Sequence, residues 1–152
     1  MEDILLHNLS VIRNRIKLAC NRYGRNPDDV KLLLATKTVS VEKIDMALKA
    51  GENMIGENKV QELKFKYEFL KTTDAAIHFI GHLQTNKVKE VLKYAACIQS
   101  VDRMDLVYAL DKQLQALGKN LDILLQVNTS FEDSKFGIPP DKAIAFAKEV
   151  SG

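Results

Sequence analysis

The sequence predicts an α/β fold in which short apolar strands alternate with helices. Three observations support this prediction. Predicted strands begin roughly every 20–25 residues, and each is followed by a segment with apolar residues at helical spacing. The first strand has an uninterrupted apolar core, a pattern typical of strands that are buried on both faces of a parallel sheet. Together these features indicate successive βα units.

The chain opens with a predicted helix. Apolar residues recur at helical spacing over residues 5–23, and Gly24 follows as a C-terminal cap. Residues 26–29, Asn-Pro-Asp-Asp, then predict a turn.

The first predicted strand covers residues 30–36 and ends at Lys37. A short helix should follow, with Ser40 at its N-cap position and Gly51 after its last turn. An ammonium group at the end of an apolar strand costs free energy unless it is paired, deprotonated or covalently engaged. Lys37 is therefore the first candidate for a functional residue.

The same strand–helix pattern recurs four more times along the chain. The predicted strands cover residues 53–57, 77–81, 96–100 and 121–127, and the predicted helices cover 60–70, 85–94, 104–117 and a last segment after Pro139 and Pro140.

Five βα units fit either an open doubly wound sheet or part of an eight-unit barrel. A complete barrel usually needs about 250 residues, and this chain has 152. Neither GxGxxG nor GxxxxGK[ST] follows the first strand, which excludes the usual phosphate-binding loops. The spacing of the elements leaves both architectures open.

Composition and charge exclude several classes of protein. The chain is 46% hydrophobic and 28% charged with a net charge of +2, as in an ordinary globular domain, and its dispersed lysines form no nucleic-acid-binding face. No apolar run is long enough to span a membrane, and the acidic start Met1-Glu2-Asp3 does not resemble a signal peptide. Cys20 and Cys97 belong to no CxxC pair, so we expect free thiols, a cytoplasmic location and no metal site.

Polar residues follow every predicted strand, and the carboxyl ends of parallel strands meet at one rim. A lysine at such a rim has one special use: desolvated, or close to another cation, its neutral amine attacks a carbonyl to give a Schiff base. Lys87 and Arg103 are candidate cations. Alternatively, Lys37 simply extends from the strand end into solvent.

The other candidates at this rim each have two interpretations. Asn58 either orients a ligand through its amide or caps the next helix. His82, a candidate acid or base, is otherwise an exposed loop histidine. Ser100 either donates to a ligand oxygen or caps a turn, and Asn128 follows the fifth strand and is expected to face the rim. His78 lies within the third strand and is expected to be a satisfied core or inter-strand histidine.

Five motifs resemble those of the pyridoxal phosphate homeostasis protein family. Of these, GENKVQE and HFIGHLQTNK are the most specific, and the matches follow the family's order along nearly the whole chain. The motifs are LLLATK at 32–37, IGENKVQE at 55–62, HFIGHLQTNK at 78–87, SVDR at 100–103 and QVNTSFEDSKFGI at 126–138.

The resemblance implies a TIM-type (β/α) barrel similar to the N-terminal domain of alanine racemase. It also implies that pyridoxal 5′-phosphate binds on a lysine of the first strand, which is Lys37 here. The family's rim would further include Asn58, His82, Ser100 and Asn128. Members resemble a vitamin B6 carrier or buffer, linked to amino-acid balance, more than a robust catalyst.

Two other functions stay open. A racemase-type enzyme of the same fold needs an acid–base pair at the substrate α-carbon, and racemases of this fold carry the second base, a tyrosine, in an additional domain. His82 is the candidate base here, and no additional domain is visible. A Schiff-base aldolase that works without a cofactor is the other possibility, and the resemblance disfavours it.

Family members complete the barrel, whereas this chain stops at Gly152 after five of the expected strands. We therefore expect residues 1–152 to be a single domain that is an incomplete barrel, from a longer protein or a truncated product. Loops after the seventh and eighth strands typically hold the phosphate in such barrels, so we expect weak cofactor binding. A complete barrel would be monomeric, and open strand edges would favour association.

Overall fold

A computed structural model describes residues 2–152, and the side chains of residues 4–152. Its centre is a parallel five-stranded sheet in which the strands follow one another in chain order. In a doubly wound sheet the strand order reverses at a switch point. The unbroken order seen here is that of consecutive units of a (β/α) barrel, as the resemblance implied.

Helices connect the strands, and short 3₁₀ turns cover Pro27–Asp29, Thr85–Lys87 and Pro140–Lys142. The strands are β1 (Leu34–Ala35), β2 (Met54–Glu57), β3 (Ala76–Phe79), β4 (Cys97–Val101) and β5 (Asp122–Leu125). The helices are α1 (Glu2–Arg22), α2 (Val41–Lys49), α3 (Val60–Leu70), α4 (Val88–Val91), α5 (Met104–Leu117) and α6 (Ala143–Ser151).

Several predicted boundaries are confirmed. α3 and α5 begin and end at the predicted residues. Gly24 and Gly118 lie in the left-handed region, with φ of 63° and 60°, where a glycine ends a helix at little cost.

The prediction for the first strand is wrong in length and burial. β1 has two residues instead of the seven of 30–36, Leu34 is half-buried, and Ala35 is exposed. The reason is its place in the sheet: β1 is an edge strand that pairs only with β2. The helix predicted over residues 85–94 is also shorter, because its first turn is 3₁₀ and α4 ends at Val91.

The hydrophobic core lies between one face of the sheet and the helices. Ile55, Phe79 and Ile98 from the strands pack with Leu63 and Leu106 from the helices, and all five are at most 1% exposed. Burying each such side chain contributes about 1.5–3 kcal/mol. This layer fixes the strands and therefore the positions of their carboxyl ends.

The other face of the sheet carries a different set of residues. Residues paired in register on parallel strands share a face. One such row crosses all five strands and consists of Ala35, Gly56, His78, Cys97 and Asp122. In the part of the chain that the structure describes, no helix is long and apolar enough to cross a membrane.

The loop after β3 comes very close to the residue after β2. A Cβ atom added to Gly81 would lie 2.1 Å from the backbone oxygen of Asn58. Since backbone atoms cannot rotate away, any larger residue here would push the two strand ends apart. Gly81 thus sets the spacing between Asn58 and the loop that carries His82.

We predict that Gly81→Ala lowers the free energy of unfolding by about 2–3 kcal/mol, because the added methyl group forces a backbone shift. Urea denaturation measures this change. Gly118→Ala is the matched control: nothing lies within 4 Å of its Cβ, so only the left-handed φ costs free energy, about 1 kcal/mol. An equal or smaller loss for Gly81→Ala would contradict the steric argument.

Candidate functional site

Lys37 lies two residues beyond β1, at the carboxyl edge of the sheet, and its side chain is exposed. The backbone N–H of Thr36 donates to the oxygen of Gly56 (2.9 Å), which extends the parallel pairing by one residue. Continuing the register of Ala35 with Gly56 places Lys37 beside Asn58. Among the side chains of residues 4–152, the Lys37 ammonium has no ion-pair partner.

A cleft of about 230 Å³ opens at this rim between the loops that follow β2 and β3. It brings together Asn58, His82 and Lys87 from the sequence predictions. Lys37, Ser100 and Asn128 do not line it. The structure thus gathers part of the predicted rim in one cleft and leaves the rest around it.

Asn58 has a buried amide oxygen with no hydrogen-bond partner among the described residues. The interpretation of Asn58 as a helix cap is wrong, because Lys59 holds the N-cap position of α3. Buried polar atoms in folded proteins are nearly always paired. An unpaired acceptor on the residue that the register places opposite Lys37 marks a candidate position for a ligand donor.

Ser100, like Asn58, has a buried side-chain oxygen without a hydrogen-bond partner within residues 4–152. It is 1% exposed, and its Oγ is also without a partner in the described chain. The N-cap of α5 is Arg103, so Ser100 does not cap that helix. Its hydroxyl lies inside β4, away from the cleft that Asn58 lines.

His82 and Asn128 are engaged in loop contacts. The ring of His82 stacks on Phe136 with centroids 3.9 Å apart and an angle of 15° between the planes. The Asn128 amide nitrogen donates to the backbone oxygens of Glu132 (3.1 Å) and Lys135 (3.4 Å). Both side chains therefore shape the loop after β5 in this structure.

The end of β4 is bound to the loops after β3 and β5 by the side chains of Arg103 and Asp102. Arg103 Nη2 donates to the oxygen of Leu83 (2.6 Å), and Asp102 Oδ2 accepts from the N–H of Gly137 (3.1 Å). Arg103 also pairs with Asp102 (3.0 Å) and Asp105 (2.9 Å). Arg103 was expected as a cation near Lys37. Its guanidinium is instead bound to Leu83, Asp102 and Asp105.

Sequence reasoning missed a buried charge cluster on the helix side of Lys37, formed by Glu57, Glu62 and Lys66. Lys66 Nζ donates to Glu57 Oε1 (2.6 Å), Glu62 Oε2 (3.1 Å) and the backbone oxygen of Thr36 (2.7 Å). Lys66 is 4% exposed and Glu57 is fully buried. The ordinary prediction for Glu62 and Lys66 would be a solvated helix face, and Glu57 was expected only as the last residue of the second strand.

The helical spacing contained a signal for this cluster. The buried positions of α3 are Leu63, Lys66 and Leu70, at i, i+3 and i+7. Apolar character alone is misleading on this helix, since Phe65 is 79% exposed whereas Lys66 is buried. Lys66 lies on the buried stripe between two leucines, where a charge needs a partner.

Thr38, on the far side of Lys37, has an unusual backbone. Its φ is +60°, a left-handed value that costs a β-branched residue roughly 1–3 kcal/mol. Its N–H donates to Glu62 Oε2 (2.9 Å). This hydrogen bond, together with the Lys66 ammonium, lowers the pKa of Glu62, so the carboxylate stays charged at neutral pH.

On the open face of the sheet, Gln99 Nε2 donates to His78 Nδ1 (2.7 Å) across β3 and β4. This confirms the prediction of an inter-strand histidine. Burial lowers the pKa of His78, and the nearby Asp122 carboxylate opposes that shift only in part. The imidazole is therefore neutral at pH 7 and accepts a proton only at the expense of its hydrogen bond with Gln99.

We predict that the protein loses stability on acidification below about pH 6.5, the ordinary pKa of histidine. The folded pKa of His78 lies below the unfolded one, so in that window the unfolded chain binds more protons, and the free energy of unfolding falls as the pH falls. Urea denaturation between pH 7.5 and 5.5 measures the slope. His78→Gln should flatten it, and the exposed His7→Gln should not. An unchanged slope in His78→Gln would rule out this assignment.

The sequence was then compared with known proteins. A family model described as alanine racemase, N-terminal domain, matches residues 5–152. The chain is 36% identical to the pyridoxal phosphate homeostasis protein of Haemophilus influenzae over 146 residues, which cover 95% of this chain and 62% of that protein. It is 43% identical to the protein of the same name from Aquifex aeolicus over 135 residues, 88% of this chain and 58% of that one.

Solved structures agree with these matches. An unknown protein from Bifidobacterium adolescentis is similar with a TM-score of 0.87 and 33% identity, covering 98% of this chain and 64% of that one. PipY of Synechococcus elongatus, solved with pyridoxal phosphate bound, is similar with a TM-score of 0.74 and 28% identity, covering 90% and 63%. The chain spans less than two thirds of the length of each of these relatives. Since the family model covers nearly all of its residues, this chain belongs to the alanine racemase N-terminal domain family.

Proposed function

We propose that this chain binds pyridoxal 5′-phosphate covalently through Lys37 and serves as a carrier or buffer of the cofactor in vitamin B6 and amino-acid homeostasis. The observation that carries the proposal is the exposed Lys37, without an ion-pair partner in the described chain, at the strand end that the register places opposite Asn58, whose amide oxygen is unpaired. The names of the relatives and the cofactor bound to PipY support it.

The residues at the rim fit such a cofactor. When bound, pyridoxal 5′-phosphate supplies an aldehyde that condenses with a lysine amine, forming a C=N bond and releasing water. Lys37 offers an amine that solvent reaches, Asn58 offers an amide to orient a ring substituent, and Lys87 adds positive charge to the cleft beside Asn58. Ser100 contributes a second unpaired polar group near the rim. His82 and Asn128 would act through the loop that they hold.

A carrier suits these contacts better than an enzyme. A racemase-type reaction needs an acid and a base on opposite sides of the substrate α-carbon. The candidate base, His82, is stacked on Phe136, which fixes its ring plane as part of a loop contact. We therefore assign His82 a structural role at the rim.

Exchange of α-protons in deuterated water, measured across a panel of amino acids with the cofactor present, separates the carrier from the enzyme. A carrier gives no sustained exchange. Exchange that continues over many turnovers and disappears in Lys37→Ala would replace the carrier proposal with the racemase-type alternative.

We further propose that the protein works in the cytoplasm with a small-molecule ligand and without nucleic acid. Cys20 and Cys97 are both free and buried, as is usual in a reducing compartment. The net charge of +2 gives no general attraction to a polyanion.

We predict that the wild-type protein acquires visible absorbance on mixing with pyridoxal 5′-phosphate, and that Lys37→Ala loses at least nine tenths of it, because the proposal places the covalent bond on the Lys37 amine. Borohydride reduction followed by peptide mass mapping locates the linkage.

Lys112→Ala is the matched control, since Lys112 is exposed on α5 and does not line the cleft that contains Asn58. This variant should retain the absorbance and the label on Lys37. A colourless wild type in excess cofactor, or label spread evenly over the lysines, would overturn the proposed function.

A further inference from the structure

The buried charge cluster of Glu57, Glu62 and Lys66 contacts the residues on both sides of Lys37. On the N-terminal side, Thr36 Oγ1 donates to Glu57 Oε1 (2.6 Å), and the Thr36 carbonyl accepts from Lys66 Nζ (2.7 Å). On the C-terminal side, the Thr38 N–H donates to Glu62 Oε2 (2.9 Å). The backbone around Lys37 is thus held from β2 and α3 at three points.

Stability alone does not account for this cluster. Removing two charges from water is costly, and replacing a buried ion pair by apolar residues of similar size is often neutral or stabilising. The cluster also leaves Glu57 Oε2 buried without a partner among the described residues. An arrangement that is expensive and incompletely satisfied is better explained by the geometry that it imposes.

That geometry is a sharp change of direction directly after Lys37. Thr38 has a φ of +60°, a conformation that L-residues keep only where their surroundings enforce it. Two hydrogen bonds hold it there: the Thr38 N–H donates to Glu62 Oε2, and the Val39 N–H donates to the Thr36 carbonyl (3.0 Å), which closes the turn. β1 ends at this point, and Lys37 is left at the rim with its side chain exposed.

We propose that Glu57, Glu62 and Lys66 form a clamp that positions Lys37, fixing the backbone of residues 36–38 so that the lysine amine projects beside Asn58. The inference rests on the proposed function of Lys37 and deepens it by assigning three positioning residues. None of the three touches the reacting amine, and each acts through Thr36 or Thr38.

Two variants of the full chain test the clamp. Glu62→Ala removes the acceptor of the Thr38 N–H at a half-buried position. The double variant Glu57→Gln/Lys66→Met removes both buried charges at once, so neither is left uncompensated. Glu62→Gln, which keeps an acceptor oxygen, is the conservative rescue of Glu62→Ala.

The matched control is Arg13→Met/Glu52→Gln. It removes another ion pair with a buried carboxylate: Arg13 Nε donates to Glu52 Oε1 (2.8 Å), and Glu52 is 5% exposed. This pair joins α1 to the residues after α2, and neither side chain has a hydrogen bond to residues 36–38 in the described chain. It therefore controls for a general loss of stability.

Two readouts separate positioning from cofactor chemistry. The first is amide hydrogen exchange at Thr38, followed by NMR without any cofactor. The second is the rate at which pyridoxal 5′-phosphate and borohydride label Lys37, resolved by peptide mass. We expect Glu62→Ala to speed exchange at Thr38 and to slow labelling of Lys37, each at least tenfold. The double variant should slow labelling to a similar degree, Glu62→Gln should recover most of both effects, and the control should show neither.

Folded variants that keep wild-type exchange at Thr38 and wild-type labelling of Lys37 would overturn the clamp and leave the proposed function standing. A wild type that fails to label Lys37 in preference to other lysines would instead overturn the proposed function. In that case faster exchange at Thr38 in Glu62→Ala supports the clamp on the backbone, and unchanged exchange overturns it as well.

Discussion

The candidate site depends on the hydrogen bonds and the ion pair that the buried Lys66 ammonium group makes. This ammonium group joins α3 to β2 through Glu57 and to the end of β1 through the carbonyl of Thr36. β1 has only two residues and one neighbouring strand, so ladder hydrogen bonds hold it weakly. Lys66 adds contacts to the end of this strand from outside the ladder, and truncating only one partner of its buried ion pair with Glu57 typically costs about 3–5 kcal/mol because the other charge is left unpaired. The cluster therefore fixes the end of β1 and the backbone position of Lys37 directly after it.

The rest of the rim is built by loop-to-loop contacts. Gly81 lets the loop after β3 approach the backbone of Asn58, and Arg103 ties that same loop to the end of β4. Asp102 then holds the loop after β5 through Gly137. The rim is thus connected from β2 to β5 by one close backbone contact at Gly81 and by two side chains, Arg103 and Asp102, that bind backbone atoms of the neighbouring loops. Most polar groups of these loops have hydrogen-bond partners. The amide oxygen of Asn58, unpaired among the described residues, is an exception, and it therefore marks a candidate position for a ligand.

Much of the fold was predictable because it follows from local patterns. Periodicity located α3 and α5 to the residue, and the order of the motifs led to the barrel-type family. The short β1 was not predictable in the same way, since an apolar run does not reveal that its strand lies at the edge of a sheet. Lys66 was missed for a related reason: burial of a charge depends on partners from β1 and β2, which are distant in sequence. Its place on the stripe of Leu63 and Leu70 was the available signal.

The exposure of Lys37 changes the chemical argument for the site. The sequence suggested a lysine made reactive by desolvation or by a nearby cation. In the structure its side chain is exposed to solvent, and Arg103 is bound to Leu83, Asp102 and Asp105. The protein instead fixes the position of the lysine. Its backbone is held in place, Asn58 is its neighbour in the register, and no ion pair among the described side chains competes for its ammonium group. An exposed amine in a fixed position can condense with an aldehyde to form a C=N bond, and water that reaches the site can hydrolyse that bond again. Such behaviour is a drawback for an enzyme that must hold its cofactor through each turnover, and it is the property that a carrier needs.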